Sequence, residues 1–461
     1  MANSVRERGE VFTPPHMVKS MIDSLFVNGI ERGCKILEPS CGTGNFLVEI
    51  AIELTKNVVY NEVGSDLSDM IVDAVSGLHG IDIHEPNVVT ARGRLVETIT
   101  KFAHDVADVD EDVLGDKLKK LFDQNVVCDD FLKTKKCFKY IIGNPPYQTE
   151  DEGYGRSAGA AYPDHVMHAI DLGEKICMII PARWYLGGKG TSLFREFMAN
   201  SRHITELRDY PDPRKVFKGV QIQGGVCYFV WDDKADSNII NYISNLDPDK
   251  PTFCRRMLVL KNFDIIRYTE ARDIIDRVND FGPVVNPVSE TTSTRCPYGI
   301  RSHFIKTEHE EGNYILIGKH GYRKPLHPKY VTKGHQYIDK YNVYTGAYGA
   351  ASYLRPNLVI SPARILMPGE VCTESYCIVG TFDALSEAES FKTYMRTKFA
   401  RFMVWIYKPT QQASRVVYKY LPHPANYDTI WTDEVLYDMF DLTDNQIKFI
   451  EDNIKEYKNV S

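Results

Sequence analysis

The chain has 461 residues, 43% of them hydrophobic, and a formal net charge of −7. That length supports two ordinary domains, each with its own core, and no apolar run reaches the ~18 residues a membrane span needs. Ten cysteines are scattered without a Cys-x-x-Cys pair, so no metal site of the zinc type is expected. A chain this long needs no disulfide staples, and the polar N-terminus does not read as a leader. Reduced thiols, no membrane partner and a cytoplasmic location are the expectation.

In chain order, Cys34–Glu38 (CKILE) reads as a short strand that passes through a Gly-containing turn into a helix from about Asn45 to Asn57. Leu78–Ile83 reads as a second strand, followed by a helix from Pro86. Asn125–Cys128 and Tyr140–Ile142 read as the third and fourth strands. Ile176–Ile180 (ICMII) and Val226–Trp231 (VCYFVW) are continuous apolar runs, as strands buried on both faces are. Strands alternating with helical stretches predict a doubly wound α/β sheet. The pattern fades after Trp231 into the polar, broken segment Asp232–Lys250, so a boundary is placed there: residues 1–235 form the first domain and 236–461 the second. Two helices close the chain, one after the cap-like Thr432 and one after Thr443.

The first strand ends in Glu38-Pro39-Ser40-Cys41-Gly42-Thr43-Gly44-Asn45-Phe46. Gly42 and Gly44 let the backbone turn sharply and approach a ligand. The third glycine of a dinucleotide fingerprint is absent, because position 47 is Leu47. A carboxylate at the strand end, Glu38, suits a cationic ligand better than a pyrophosphate. S-adenosylmethionine, with its amino group and sulfonium, is such a ligand; an ordinary surface turn is the alternative. The second strand ends in Asp82-Ile83, where an acid can accept hydrogen bonds from both ribose hydroxyls. Asp82 lies 38 residues after Gly44, against the usual spacing of ~20, so an insertion is expected between residues 57 and 77. The third strand ends in Asp129-Asp130-Phe131. One acid can accept from an adenine amine while Phe131 covers the ring, or it can simply cap the following turn.

The fourth strand ends in Gly143-Asn144-Pro145-Pro146-Tyr147. Proline cannot continue a ladder, so the chain leaves the sheet here, and the residues before each proline are held extended. Asn144 and the Pro145 carbonyl then offer two rigid acceptors. Conjugated amines are poor nucleophiles because the lone pair is delocalised. Two acceptors that bind both N–H groups draw the nitrogen towards tetrahedral geometry and stabilise the charge that develops on it. Tyr147 would stack on the base. This chemistry needs no metal.

These residues resemble the gamma-class DNA adenine-N6 methyltransferases, the methylases of type II and type IIG restriction-modification systems. Gly9-Glu10-Val11-Phe12-Thr13-Pro14 is similar to the N-terminal motif of that class, which places Thr13 and Pro14 near the methionine end of the cofactor. The resemblance implies S-adenosyl-L-methionine as cofactor, held by Glu38, Pro39, Cys41, Gly42 and Gly44 in the loop, Asp82 and Ile83 at the ribose, and Asp130 and Phe131 around the adenine, with Asn144 also counted among the cofactor-binding residues. Asn144, Pro145, Pro146 and Tyr147 match the catalytic motif. The segment Val216–Val226 is similar to a later motif, in which Phe217 would stack on the other face of the base; a core phenylalanine is the alternative. The target amine inside a duplex cannot reach the cofactor, so the base must be extruded. The implied fold is a mostly parallel seven-stranded sheet of the class I methyltransferase type with a reversed final strand, followed by an α+β target-recognition domain.

The second half carries charge that the whole chain hides. From Arg295 to Pro424 there are 18 Lys and Arg against 9 Asp and Glu, and Phe391–Tyr420 contains seven cations and no acid. A basic segment on an acidic body is a footprint for phosphate. Arg396, Lys398, Arg401, Lys408, Gln411, Gln412 and Arg415 are the candidate DNA contacts, with Arg295–Arg301 and Lys319–Lys329 as weaker ones, each also readable as plain surface. Gln suits adenine edges and Arg guanine edges. Double-stranded DNA is the expected partner of a monomer, with a separately encoded restriction endonuclease as a further one. The rival readings are an RNA adenine or protein glutamine methyltransferase with the same Asn-Pro-Pro-Tyr chemistry, and a DNA-binding subunit with a dead site. An N-terminal nuclease is not expected, because the first motif begins at Gly9.

Overall fold

A computed structural model describes residues 12–62, 66–148, 159–187, 190–220, 222–237, 240–245, 252–254, 264–281, 286–350, 354–408 and 410–457. Gly9, Glu10 and Val11 of the N-terminal motif and Gln221 of the later one lie outside these residues. The chain divides into two compact units, Met1–Asp264 and Ile265–Ser461.

The first unit opens with helix α1 (Pro15–Leu25), started by prolines in its first turn, where a missing N–H costs nothing. There follow β1 (Ile36–Pro39), α2 (Asn45–Asn61), α3 (Leu67–Val75), β2 (Leu78–Asp82), α4 (Glu85–Ala107), α5 (Glu111–Asn125), β3 (Val126–Cys128) and β4 (Phe138–Gly143). The long spacing between the glycine turn and Asp82 is explained here: α2 runs on to Asn61 and α3 is added before the return strand. Next come α6 (Tyr162–Leu172), β5 (Gly173–Pro181), α7 (Ser192–Asn200), β6 (Ile204–Tyr210) and β7 (Val226–Asp232), then two short strands, β8 (Asn241–Ser244) and β9 (Thr252–Cys254).

All nine strands join one sheet, in the order β3-β2-β1-β4-β5-β7-β6-β8-β9. The strands from β3 to β5 pair in parallel, and β7 runs antiparallel to both β5 and β6. The expected reversed strand is thus present, but the sheet has nine strands rather than seven. β8 pairs in parallel with β6, and β9 antiparallel with β8. That addition carries the first unit to Asp264, past the expected boundary at 235, because the polar segment after Trp231 returns to the sheet edge.

Both faces of the sheet are covered. Ile36, Leu78, Val126, Ile142, Cys177, Ile179 and Tyr228 share one core with α1 to α5. Leu37, Ile141, Ile176, Met178 and Ile180, alternating with them, are also fully buried. Each such side chain contributes about 1.5–3 kcal/mol, which explains the unbroken apolar run in β5. Ser24 Oγ of α1 donates to Glu206 Oε1 at 2.7 Å and lies 3.0 Å from Tyr228 Oη, fastening α1 across the reversed strands.

The second unit begins with α8 (Thr269–Asp280) and the single turn α9 (Val288–Thr291). Its strands β10 (Tyr314–Ile317), β11 (Arg323–Leu326), β12 (Tyr341–Gly346), β13 (Arg364–Leu366), β14 (Glu370–Cys372) and β15 (Tyr376–Phe382) form two three-stranded sheets, β11-β10-β14 and β13-β12-β15. Helices α10 (Leu385–Arg396), α11 (Lys398–Ile406), α12 (Asp433–Met439) and α13 (Asp444–Asn453) follow. The unit is α+β, as expected. Both helix-start signals hold: Val435 N–H donates to Thr432 Oγ1, and Thr443 with Gln446 closes a reciprocal capping box.

Candidate active site

Because β3, β2, β1 and β4 are parallel neighbours, their carboxyl ends lie side by side, and four of the motifs read from the sequence meet on that edge. The contacts between them are direct. Gly42 N–H donates to Asp82 Oδ2 at 2.8 Å, and Cys41 N–H to the Ile81 carbonyl at 2.8 Å. Asp129 N–H donates to the Asp82 carbonyl at 3.1 Å. A Cβ on Gly143 would lie 3.2 Å from the Pro39 carbonyl, a tight contact, so glycine there lets β4 bring Asn144 close beside the β1 turn.

Gly42 and Gly44 have φ of +52° and +79°, the left-handed region that glycine enters without penalty. Gly44 is the N-cap of α2 and has no side chain to satisfy the helix amides. Glu38 does so instead, its Oε2 accepting from Leu47 N–H at 3.1 Å. The carboxyl is 3% exposed, and burial pushes its pKa from 4.5 up to about 8. Glu38 is therefore a buried helix-capping acid as well as a group poised beside the turn. Cys41 is buried against Gly80, where burial drives its thiol pKa well up; it shapes the loop and offers no reactive thiolate. Asp82, 7% exposed, also accepts from His84 N–H at 2.9 Å and Asn87 Nδ2 at 3.3 Å on Oδ1. Ile83 beside it is 60% exposed.

The N-terminal motif reaches the same turn. The Phe12 ring lies over Gly42, 3.2 Å from where a Cβ would sit. Asn45 Nδ2 donates to the Thr13 carbonyl at 3.1 Å. Arg94 of α4 completes the clamp: its Nη1 donates to the Thr43 carbonyl at 2.5 Å, Thr43 Oγ1 at 3.1 Å and Asn45 Oδ1 at 2.8 Å. The sequence did not point to Arg94. Its partners lie about 50 residues upstream, and a cation in a helix carries no local mark of such a contact. Phe12, Pro14 and His16 line a cleft of about 470 Å³ together with Val216, Phe217 and Lys218.

Asp130 is half-buried and caps the turn at Phe131–Lys133, Oδ1 accepting from Leu132 N–H at 3.0 Å. Phe131 is buried and meets His168 edge-on at 5.0 Å. Asn144 is half-buried, Pro145 buried and Pro146 exposed. The Tyr147 carbonyl accepts from Ala161 N–H at 3.2 Å, which ties the motif to the start of α6. The Tyr147 hydroxyl is buried and makes no hydrogen bond among the described residues, and burial pushes its pKa well up. Phe217 lines the cleft but is only 2% exposed and belongs to the core cluster. Its ring is buried here rather than presented as a free stacking face.

The candidate DNA contacts of the second unit separate sharply. Arg401 is fully buried; its guanidinium donates to the Arg396, Thr397 and Lys455 carbonyls and lies 4.0 Å from the Tyr457 ring centre. Lys408 is 2% exposed and donates to the Ala350 carbonyl at 2.6 Å, and burial lowers its pKa to about 8. Lys398 pairs with Glu451 and Glu456. Arg401 and Lys408 correct the expectation: buried on backbone carbonyls, they brace the fold and present no surface to a phosphate, while Lys398 is engaged by two acids. Arg396 is half-buried, whereas Gln411, Gln412 and Arg415 are exposed, Arg415 donating to the Ser289 carbonyl at 2.7 Å.

Among the described residues no group of three or more His, Cys, Asp or Glu could hold a metal ion, and no helix is long and apolar enough to cross a membrane.

Residues 49–217 match the Eco57I restriction-modification methylase family. An uncharacterized adenine-specific methylase of Mycoplasma pneumoniae is 39% identical over 98 residues, 20% of this chain and 23% of that protein. The type II restriction enzyme and methyltransferase RM.BcgI of Heyndrickxia coagulans is 21% identical over 200 residues, 43% of this chain and 28% of that protein. The matched stretches thus span about a quarter of these relatives' own lengths. A nuclease-deletion mutant of the Type ISP restriction-modification enzyme LlaGI, solved with a DNA substrate mimic, shares the fold at a TM-score of 0.52 and 11% identity, over 97% of this chain and 47% of that one. Over residues 49–217, the chain is thus similar to the Eco57I restriction-modification methylases.

Proposed function

We propose that this chain is a site-specific DNA methyltransferase that transfers the methyl group of S-adenosylmethionine to N6 of an adenine extruded from duplex DNA. The observation that carries the reading is the placement of Asn144-Pro145-Pro146-Tyr147 at the carboxyl end of β4, against the Glu38–Gly44 turn of β1.

The residues present fit the cofactor. Two buried carboxylates, Glu38 and Asp82, flank a turn whose two glycines take left-handed φ. Glu38 suits the cationic methionine end and Asp82 the ribose hydroxyls, with Asp130 and Phe131 next along the edge for the adenine. When bound, the cofactor supplies an electrophilic methyl on a sulfonium. The chain's own work is to hold the target amine. Asn144 Oδ1 and the Pro145 carbonyl accept its two N–H groups, align the nitrogen lone pair and stabilise the developing positive charge. Tyr147 holds the base, and Phe217 reaches it from the cleft side only if that ring turns out of the core. The second unit serves target recognition. The enzyme acts as a monomer in a restriction-modification or phage anti-restriction setting, with a separately encoded endonuclease as its natural counterpart.

Expressing the chain in a methylation-deficient host and digesting the genomic DNA to nucleosides tests the reading. N6-methyladenine should appear with the intact chain and not with an Asn144→Ala chain; its absence from DNA, with methyl groups in RNA or protein instead, contradicts it.

A further inference from the structure

The segment Tyr314–Gly334 contains five Lys and Arg and no Asp or Glu. The structure folds its first part into a tight hairpin. β10 and β11 pair from Tyr314↔Leu326 to Ile317↔Arg323, and the turn between them is closed by Gly318 N–H donating to the Tyr322 carbonyl at 2.9 Å. His320 and Gly321 at its tip take φ of 58° and 76°, so the turn has a defined, compact shape rather than an open loop. Lys319, His320, Arg323 and Lys324 are all exposed. Arg323 pairs with Glu370, but among the described residues neither Lys319 nor Lys324 has an acidic partner.

A second segment meets this tip. Lys319 Nζ lies 6.0 Å from the ring centre of Tyr348, which is 47% exposed. Tyr348 forms an antiparallel bridge with Gln412, flanked by Gly349 N–H donating to the Gln411 carbonyl at 2.8 Å and Ala413 N–H to the Ala347 carbonyl at 2.9 Å. The ladder is stiff from below. Lys408 is anchored to Ala350, and a Cβ on Gly349 would come within 1.9 Å of the Val359 carbonyl. Three stretches distant in sequence therefore bring together the Lys319 turn, the exposed Tyr348 ring and the exposed Gln412.

We propose that this surface, the β10–β11 turn with the Tyr348–Gln412 ladder, is a duplex-DNA contact of the second unit. Lys319 and Lys324 take backbone phosphates and set the register, while Gln412, on the face of the ladder that carries Tyr348, meets a base edge. Gln412, rather than the buried Arg401 and Lys408, is the group placed to read sequence. This rests on the reading that the substrate is duplex DNA.

The test uses the full chain and a random-sequence duplex. Lys319→Glu/Lys324→Glu should bind DNA at least about tenfold more weakly, and the slope of log affinity against log salt should fall by about 2. S-adenosylmethionine affinity and the melting curve should stay unchanged, since both side chains are exposed. Gln412→Ala should bind random duplex as the parent does but methylate a changed set of sites. A double variant that binds duplex DNA with the parent's affinity and salt slope, while the parent methylates DNA, overturns the surface and leaves the reading of function intact. A parent chain that binds single-stranded RNA in preference to duplex DNA, or neither binds nor methylates DNA, overturns both.

Discussion

Asp82 Oδ2 accepts a 2.8 Å hydrogen bond from Gly42 N–H, so the tip of the second strand holds the glycine turn of the first. The carboxylate is buried and also accepts from His84 and Asn87, which fixes both of its oxygens before any ligand arrives. Asp82→Ala should weaken S-adenosylmethionine binding by at least about tenfold, and the unmet amides should cost about 1–3 kcal/mol of stability. Calorimetric titration and a thermal melt measure the two effects. An unchanged dissociation constant moves the ribose contact elsewhere.

Arg94 joins α4 to the glycine turn and, through Asn45, to Thr13. On the proposed reading it lies outside the reacting groups Asn144 to Tyr147 and acts as a positioning residue. Arg94→Ala should raise the KM for S-adenosylmethionine about tenfold, equivalent to about 1.4 kcal/mol, with a smaller change in kcat. Arg94→Lys should recover part of that loss. Equal falls in kcat and in kcat/KM, with KM unmoved, would contradict the assignment.

Burial holds the Glu38 carboxyl at about 8, above its ordinary 4.5. Between these values the folded state binds more protons than the unfolded one, so this group makes the ligand-free fold lose stability as pH rises from about 4.5 to 8. A cation placed beside it favours the ionised form. S-adenosylmethionine binding at pH 7 should therefore release a proton, and affinity should rise with pH below about 8 and level off above it. The binding enthalpy measured in buffers of different ionisation heat reports that proton. Glu38→Gln should remove the buffer dependence; buffer-independent binding by the parent chain would contradict the coupling.

Arg401 is a fully buried cation held by three carbonyls and the Tyr457 ring. Arg401→Ala leaves those carbonyls unmet and should cost about 3 kcal/mol, while DNA affinity per folded molecule stays unchanged. Chemical denaturation with binding measured at low denaturant separates the two. A variant of parental stability with weakened DNA binding would return Arg401 to the interface.

The sequence exposes the carboxyl edge of the sheet because the residues there are punctuated. Glycines after β1 and prolines after β4 mark where the chain must leave the ladder, and acids at strand ends stand out against apolar runs. β6, β8 and β9 lack that contrast. Ile204–Tyr210 alternates buried and half-buried residues around charged ones, and Asn241–Ser244 sits in a polar stretch, so the sheet's far edge and the boundary at Asp264 were not legible. The basic second half misled for a different reason. A lysine or arginine reads as surface by default, yet Arg401 and Lys408 lie in the core because backbone carbonyls from distant segments receive them. Conversely, the Lys319 turn becomes a credible surface only once the fold brings Tyr348 and Gln412 beside it. Phe217 shows a third limit, since one residue can line a cleft and still belong to the core.

The central claim is that Asn144 activates an adenine amine in DNA. The direct measurement is transfer of labelled methyl from S-adenosylmethionine to unmethylated duplex DNA by the purified chain and by Asn144→Ala, with nucleoside digestion and mass analysis. The account predicts N6-methyladenine with the parent chain, a loss of at least about 100-fold in rate for Asn144→Ala, and near-equal S-adenosylmethionine affinity for both. Methylation by Asn144→Ala at the parental rate, or label recovered in any base other than adenine, would contradict it.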